Sequence, residues 1–310
     1  MKARAQSDTL RPFLFSESLG VKRMQNKTIW LTGSEGRLGS ALLGLLKDHL
    51  DYKVIDTDLD VDVTSADAVD DAVRVYRPNI IINCASLSDA DYCETHPLEA
   101  YRVNALGARN LAAAARRVDS EIIQFSTDDV FSGEHNRAKT EFDIPTPSTV
   151  YGKSKFAGEE FVKVLNPKHL IIRSSWVYGL PGKENHRLCY YDEVLEHGKK
   201  GEPFTAPIDV IGSPTSAQEL AKFFMAILDE SEYGLYHAAC KGACTRFGFA
   251  KTILELNGFD TRLVRESRKD DAGTLVATQL ENLMMEMTGI YEMPAWQDAL
   301  EEYVKQQGAN

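Results

Sequence analysis

The chain has 310 residues, 43% apolar and 26% charged, with 35 Lys and Arg against 46 Asp and Glu. That length carries one large or two modest domains with a real core. The net charge of −11 argues against broad binding to nucleic acid or anionic membranes.

Residues 1–25 hold only the short apolar patch Pro12-Phe13-Leu14-Phe15, too little for a signal-peptide core. They read as a flexible arm, or as an upstream start before Met24. Residues 28–32 read as a short buried strand. Gly33, Gly36 and Gly39 follow at three-residue spacing, and Leu38, Leu42, Leu43, Leu45 and Leu46 then lay an apolar stripe along a helix. Strand, glycine turn and helix in that order form a phosphate grip. Gly33 permits the tight turn, Gly36 lets backbone approach a pyrophosphate, and Gly39 seats the helix on the strand. The helix N-terminus offers free N–H groups to the anion.

A second strand, 52–55, ends in Asp56, which lies 23 residues past Gly33. An acid about 20 residues on holds the adenosine ribose hydroxyls in this arrangement. Asp58 and Asp60 add negative charge with no Arg or Lys adjacent, so NAD(H) is favoured and NADP(H) is left open. Asp62 and Val63 follow where such a fold contacts adenine. Next come a helix (66–76), a strand (79–83) with the polar run Cys84-Ala85-Ser86 at its end, and a long helix (97–118). A strand (121–125) runs into Ser126-Thr127-Asp128-Asp129, a helix opens at Tyr151, and a strand (169–173) leads to Trp176. Strand and helix alternate with short links, which implies a parallel, doubly wound α/β sheet of Rossmann type.

Beyond Gly179 the rhythm weakens. A helix (187–197), an extended stretch (203–211), a helix (217–228), a strand (234–239), a helix (247–256), a strand (262–266) and a last helix (295–304) suggest a smaller α+β lobe over the sheet's carboxyl edge. We therefore expect a dinucleotide-binding domain over 26–178, with about 211–230 returning to it. A substrate-binding lobe would take 179–210 and 231–310. No apolar run approaches the ~20 residues that span a bilayer. The five cysteines, odd in number and lacking zinc spacing, read as free thiols of a cytoplasmic protein. His135, His169, His186 and His237 show no metal pattern.

Tyr151 and Lys155 are four apart on one helix and face the same way. A tyrosine near pKa 10 is a poor acid or base at neutral pH. A nearby ammonium favours the phenolate and lowers that pKa. Tyr151 can then protonate a carbonyl oxygen while hydride arrives from a nicotinamide. Thr127 can give that oxygen a second hydrogen bond. A Tyr–Lys pair arises often by chance. Here it follows the glycine turn by about 115 residues and the Ser-Thr-Asp strand end by about 25, a conjunction that packing does not explain. Asp128 and Asp129 either serve the site or cap the loop.

These residues together resemble the extended short-chain dehydrogenases/reductases, and among them the dTDP-4-dehydrorhamnose reductases. The matching pieces run from Leu31-Thr-Gly-Ser-Glu-Gly-Arg-Leu-Gly39 through Asn83-Cys-Ala-Ser86, with Asp91, Glu94 and Asn104, to Phe125-Ser-Thr-Asp128. They continue through Val150-Tyr-Gly-Lys-Ser-Lys155 and Ile172-Arg-Ser-Ser-Trp-Val-Tyr178 to Ile211-Gly-Ser-Pro-Thr215, Gly234-Leu-Tyr-His237 and Pro294-Ala-Trp296. The resemblance implies a reductase of a 4-keto-6-deoxy nucleotide sugar, with Thr127, Tyr151 and Lys155 catalytic. It implies a cofactor lined by Gly33, Gly36, Arg37, Leu38, Gly39, Asp56, Asp62, Val63, Cys84, Ala85, Ser86 and Ser126, besides Tyr151 and Lys155. It places the sugar against Trp176, with Asp128 and Asp129 beside it. Family members often pair as homodimers, some with magnesium at the interface.

The departures fall on the substrate side. Asp129 stands where the family usually has Tyr. Asn185-His186 replaces Asn-Phe, Asp209-Val210 replaces Asp-Gln, and Thr274-Leu275 replaces Arg-Pro. A carboxylate in place of an aromatic ring removes stacking area and adds charge. Two other readings stand beside the reductase. One is an epimerase or dehydratase on the same fold. The other is a non-catalytic dinucleotide-binding subunit like the regulatory subunit of methionine adenosyltransferase.

Overall fold

A computed structural model describes residues 27–134, 136–180, 188–228, 230, 233–269 and 274–308. The N-terminal arm, His135 and the Asn185-His186 pair lie outside the described residues. The first half runs β1 (Lys27–Thr32), α1 (Arg37–Lys47), β2 (Tyr52–Thr57), α2 (Ala66–Tyr76), β3 (Ile80–Asn83), α3 (Ala90–Thr95), α4 (Pro97–Ala100), α5 (Ala108–Arg117), β4 (Glu121–Thr127), α6 (Val150–Leu165) and β5 (His169–Ser174). The second half runs β6 (Val177–Tyr178), α7 (Tyr190–Lys200), β7 (Phe204–Pro207), β8 (Val210–Gly212), β9 (Thr215–Ser216), α8 (Ala217–Leu228), β10 (Gly234–His237), β11 (Cys244–Thr245), α9 (Arg246–Leu256), β12 (Val264–Ser267), β13 (Val276–Ala277), α10 (Leu283–Thr288) and α11 (Trp296–Gly308).

Six parallel strands form the main sheet in the order β2-β1-β3-β4-β5-β10. The order reverses at β1, so a crevice opens between the carboxyl ends of β1 and β3, where open α/β sheets bind ligands. Ile29, Leu31, Ile80, Ile82 and Ile172 point to one face and pack under Leu42 and Leu46 of α1 and Leu220 and Phe224 of α8. Trp30, Ile81, Ile122 and Ile171 point to the other, under Val69 and Val73 of α2, Leu111 of α5 and Val162 of α6. The strands read as unbroken apolar runs because both faces are covered. The fold is the doubly wound α/β type expected.

Three small sheets, β11-β8-β13, β12-β7 and β6-β9, lie outside the main one. One strand departs from expectation. Residues 234–237, assigned above to the substrate lobe, pair in register with β5 as the edge of the main sheet. The long helix 97–118 is likewise not uniform. Between α4 and α5 it widens into a π-helix, Tyr101–Gly107. That turn carries Asn104, whose amide accepts from Leu87 N (2.8 Å) and donates to Leu87 O (3.0 Å) and Ser154 Oγ (2.9 Å). It ties the loop after β3 to α6. Gly158 permits the approach, because a Cβ there would stand 2.5 Å from the Asn104 carbonyl oxygen. Among the described residues no helix is long and apolar enough to cross a membrane, and all five cysteines are free thiols.

Candidate active site

The glycine turn fills the crevice mouth. Gly33 takes φ +67°, and a Cβ on it would stand 2.5 Å from Ala85 N, so the ends of β1 and β3 meet through bare backbone. Gly39 is as tight, with a built Cβ 2.0 Å from the Gly33 carbonyl oxygen. Ser65, Thr149 and Thr245 cap α2, α6 and α9 with their hydroxyls, whereas Gly36 at the start of α1 supplies no side-chain cap. The first N–H groups of α1 thus remain available for an anion. A dinucleotide pyrophosphate fits this cradle, which any side chain at Gly33 would obstruct.

Several residues assigned above to the cofactor are occupied otherwise. Asp56 carries a cation after all, since Lys47 Nζ lies 3.3 Å from its carboxylate. The lysine comes from the end of α1, close in space and nine residues back in sequence. Asp58, further along, accepts from Glu35 N at 2.9 Å and braces the glycine turn. Asp62 accepts from Thr64 N at 2.9 Å within its own loop, and Val63 is buried under Gly107. Ser86 donates to Asn104 Oδ1 (3.1 Å), and Ser126 donates to Glu159 Oε1 (2.6 Å). Arg37 pairs with Asp192 of α7, drawing the lobe onto the glycine turn. Leu38 packs against the core.

β4 delivers Thr127 to the crevice, and α6 brings Tyr151 against it. Gly152 makes this possible, because a Cβ there would stand 2.0 Å from the Asp129 carbonyl oxygen. The Thr127 hydroxyl neighbours the Tyr151 phenol and favours its ionised form. Thr127 Oγ1 accepts from Asp129 N at 3.2 Å. Burial first, and then the Asp129 carboxylate, push the Tyr151 phenol above its ordinary value. This corrects the expectation that Lys155 lowers it. The Lys155 ammonium donates to the Phe125 carbonyl at 2.7 Å, with Cys84 and Glu159 as its electrostatic neighbours. Burial lowers its pKa to about 8, and burial raises that of the Cys84 thiol.

Asp128 is buried beside Thr127. Its Oδ2 accepts from Ser175 Oγ (2.9 Å) and Thr278 Oγ1 (2.5 Å), joining β4 to the segments after β5 and β13. Burial, then the neighbouring Asp129, push its pKa up to about 7. Asp128 thus ties segments together while its Oδ1 accepts from the Thr127 hydroxyl at 3.3 Å. Trp176 sits at the cleft with φ 44°, a strained value for a bulky residue. Gly212 leaves room for its ring: a Cβ there would stand 2.3 Å from it. On the Trp176 ring lies a residue the motifs did not mark. The Arg246 guanidinium stands 3.7 Å from the Trp176 ring centroid and 4.7 Å from that of Tyr190. Arg246 opens α9, far along the chain from Trp176, and no local pattern announces the contact. Among the described residues no group of His, Cys, Asp and Glu could hold a metal ion. His237 is buried, hydrogen-bonded to the Lys139 and Glu281 carbonyls, and held neutral with its pKa pushed down to about 3 by burial.

Residues 27–308 match the family model described as the RmlD substrate binding domain. The spore coat polysaccharide biosynthesis protein SpsK of Bacillus subtilis is 30% identical over 285 residues, 91% of this chain and 98% of SpsK. A dTDP-4-dehydrorhamnose reductase of Clostridium acetobutylicum superposes with TM-score 0.84 at 37% identity, covering 91% of this chain and 99% of its own. Another, from Bacillus anthracis in complex with NADP, gives TM-score 0.84 at 32% identity over 91% and 99%.

Proposed function

The chain belongs to the RmlD substrate binding domain family, and from that premise we propose that it reduces the ketone of a 4-keto-6-deoxy nucleotide sugar. The supporting observation is the Thr127–Tyr151 hydroxyl pair standing at the carboxyl edge of the sheet, beside the uncapped glycine turn. A nicotinamide dinucleotide bound on that turn supplies the hydride. Tyr151 donates its phenolic proton to the carbonyl oxygen, and burial together with Asp129 keeps that proton in place until it is needed. Thr127 holds the same oxygen and offsets its developing charge. Lys155 brings a buried cation to the floor of the site.

The test is dinucleotide oxidation with a panel of 4-keto-6-deoxy nucleotide sugars. Tyr151→Phe is expected to lower kcat by about 10²–10⁴-fold, the range for a lost general acid, with dinucleotide affinity kept. A variant that still turns over, or a wild type that reduces no member of the panel, overturns the reading.

Between the two dinucleotides, our reading is NADH. Asp56, Asp58 and Asp60 gather where a 2′-phosphate would lie, and Lys47 is already paired with Asp56. Asp56→Ala removes one acid and frees that lysine. The ratio of kcat/KM for NADH over NADPH should fall by about tenfold, equivalent to ~1.4 kcal/mol. An unchanged ratio rejects this preference and its cause.

A further inference from the structure

Two opposite charges face one another in the cleft without closing. The Arg246 guanidinium lies between the Trp176 and Tyr190 rings, and the Tyr190 hydroxyl donates to the Arg246 carbonyl at 3.0 Å, so side chain and backbone are both held. Asp129 is fixed by its own N–H on Thr127 and by its carbonyl against Gly152. Burial raises the Asp129 pKa, opposed first by Arg246 and then by Lys269; burial lowers that of Arg246, opposed by Tyr190, Asp128 and Asp129 in that order. Yet among the described residues no hydrogen bond or ion pair reaches either the guanidinium or the Asp129 carboxylate.

Half-buried charges left in this state are costly, and native proteins keep them where a ligand completes them. The signs say which ligand. A phosphate is drawn to Arg246 but repelled by Asp129 and by neighbouring Asp128. An ammonium meets the reverse conflict. A hydroxyl accepts from a guanidinium and donates to a carboxylate at once. We propose that Arg246 and Asp129 grip ring hydroxyls of the hexose between them, and that this pair sets which sugar the site accepts. The proposal rests on the nucleotide-sugar reading of the same cleft. Trp176, strained and stacked on Arg246, fixes one side of the grip.

The experiment compares calorimetric affinities for dTDP-rhamnose and for dTDP alone in wild type, Arg246→Met, Asp129→Ala and the double variant. Wild type should prefer the hexosyl ligand. Each single change should weaken dTDP-rhamnose binding by about tenfold, the worth of one charge-assisted hydrogen bond. The double variant should lose little more than either alone, with dTDP affinity unaltered throughout. Arg246→Lys keeps the charge without the planar fork and should recover only part of the loss. Its partial rescue separates recognition from folding. Equal losses for dTDP and dTDP-rhamnose mean a phosphate site and overturn the proposal, as do strictly additive effects. A wild type with no preference overturns it whatever the turnover. A wild type with the preference but no reduction of any ketosugar overturns the reductase reading and leaves the grip standing.

Discussion

Among the arginine–carboxylate couples of this molecule, two are built to opposite ends. On β5 and α6, Arg173 clamps both oxygens of Glu159 at 2.8 and 2.6 Å, with the two side chains 1% and 0% exposed. Ser126 adds a third donor to the same carboxylate, and the Phe131 ring lies against the guanidinium. In the cleft, Arg246 and Asp129 sense one another but do not pair, and aromatic rings rather than carboxylates position the arginine. The closed couple is a strut between sheet and helix. The open couple is held apart by the packing around it. A charge that finds its partner within the chain builds the fold, whereas one without such a partner is, on the proposal above, kept for a ligand.

Removing one member of each couple should separate these roles most sharply. Glu159→Ala leaves Arg173 buried and unpaired, and should cost about 3–5 kcal/mol of stability, read as a lower urea midpoint. Arg246→Met keeps the space between Trp176 and Tyr190 filled and removes a charge that no described residue meets in an ion pair. Its urea midpoint should stay level or rise. If Arg246→Met costs as much as Glu159→Ala, both couples are struts and the contrast fails.

The contrast also explains what could be read from the chain. The Gly33–Gly36–Gly39 turn, the alternation of strand and helix, and the Tyr151–Lys155 spacing are local patterns, fixed by a few neighbours, and the fold places them as expected. The residues around Trp176 are joined over long distances: Thr278 reaches Asp128 across 150 positions, and Arg246 reaches Trp176 from another element altogether. Lys47 meets Asp56 only because α1 folds back beside β2. The edge strand at 234–237 looked like part of the lobe because its pairing with β5 has no local signature. Even the Tyr151 pKa is set by its burial and by Asp129, neither of which the Tyr–Lys spacing reveals.

On the proposed cofactor side the glycine turn offers backbone rather than side chains, so a single methyl group should matter there. Gly33→Ala forces φ +67° on a residue with a Cβ and drives that Cβ to 2.5 Å from Ala85 N. The left-handed conformation alone costs roughly 1–2 kcal/mol, and the clash must spread β1 from β3. Dinucleotide affinity, followed by fluorescence titration, should fall by ten- to a hundredfold, while dTDP-rhamnose binding changes little. Equal losses for both ligands would mean that the turn supports the whole cleft rather than the cofactor half.

Asp128 stands between the two couples, because it is buried and hydrogen-bonded but by hydroxyls rather than a cation. Its raised pKa means that the folded state holds a proton the unfolded chain has already released. Its contribution to stability is therefore complete below the ordinary carboxylate value of 3.8 and fades as pH rises toward about 7. His237 works in the opposite sense: kept neutral with a pKa of about 3, it adds stability as pH rises toward its ordinary 6.5. The two trends overlap, so wild-type stability alone should look nearly flat across that window. Asp128→Asn removes the falling component and leaves that of His237. The variant's melting temperature should thus climb from pH 4 to 7 more steeply than the wild type's, the gap between them widening by about 3 kcal/mol in free energy. Parallel pH profiles would show that Asp128 ionises in the fold as it does in the unfolded chain, held by its three hydroxyl donors as firmly as Glu159 is held by Arg173.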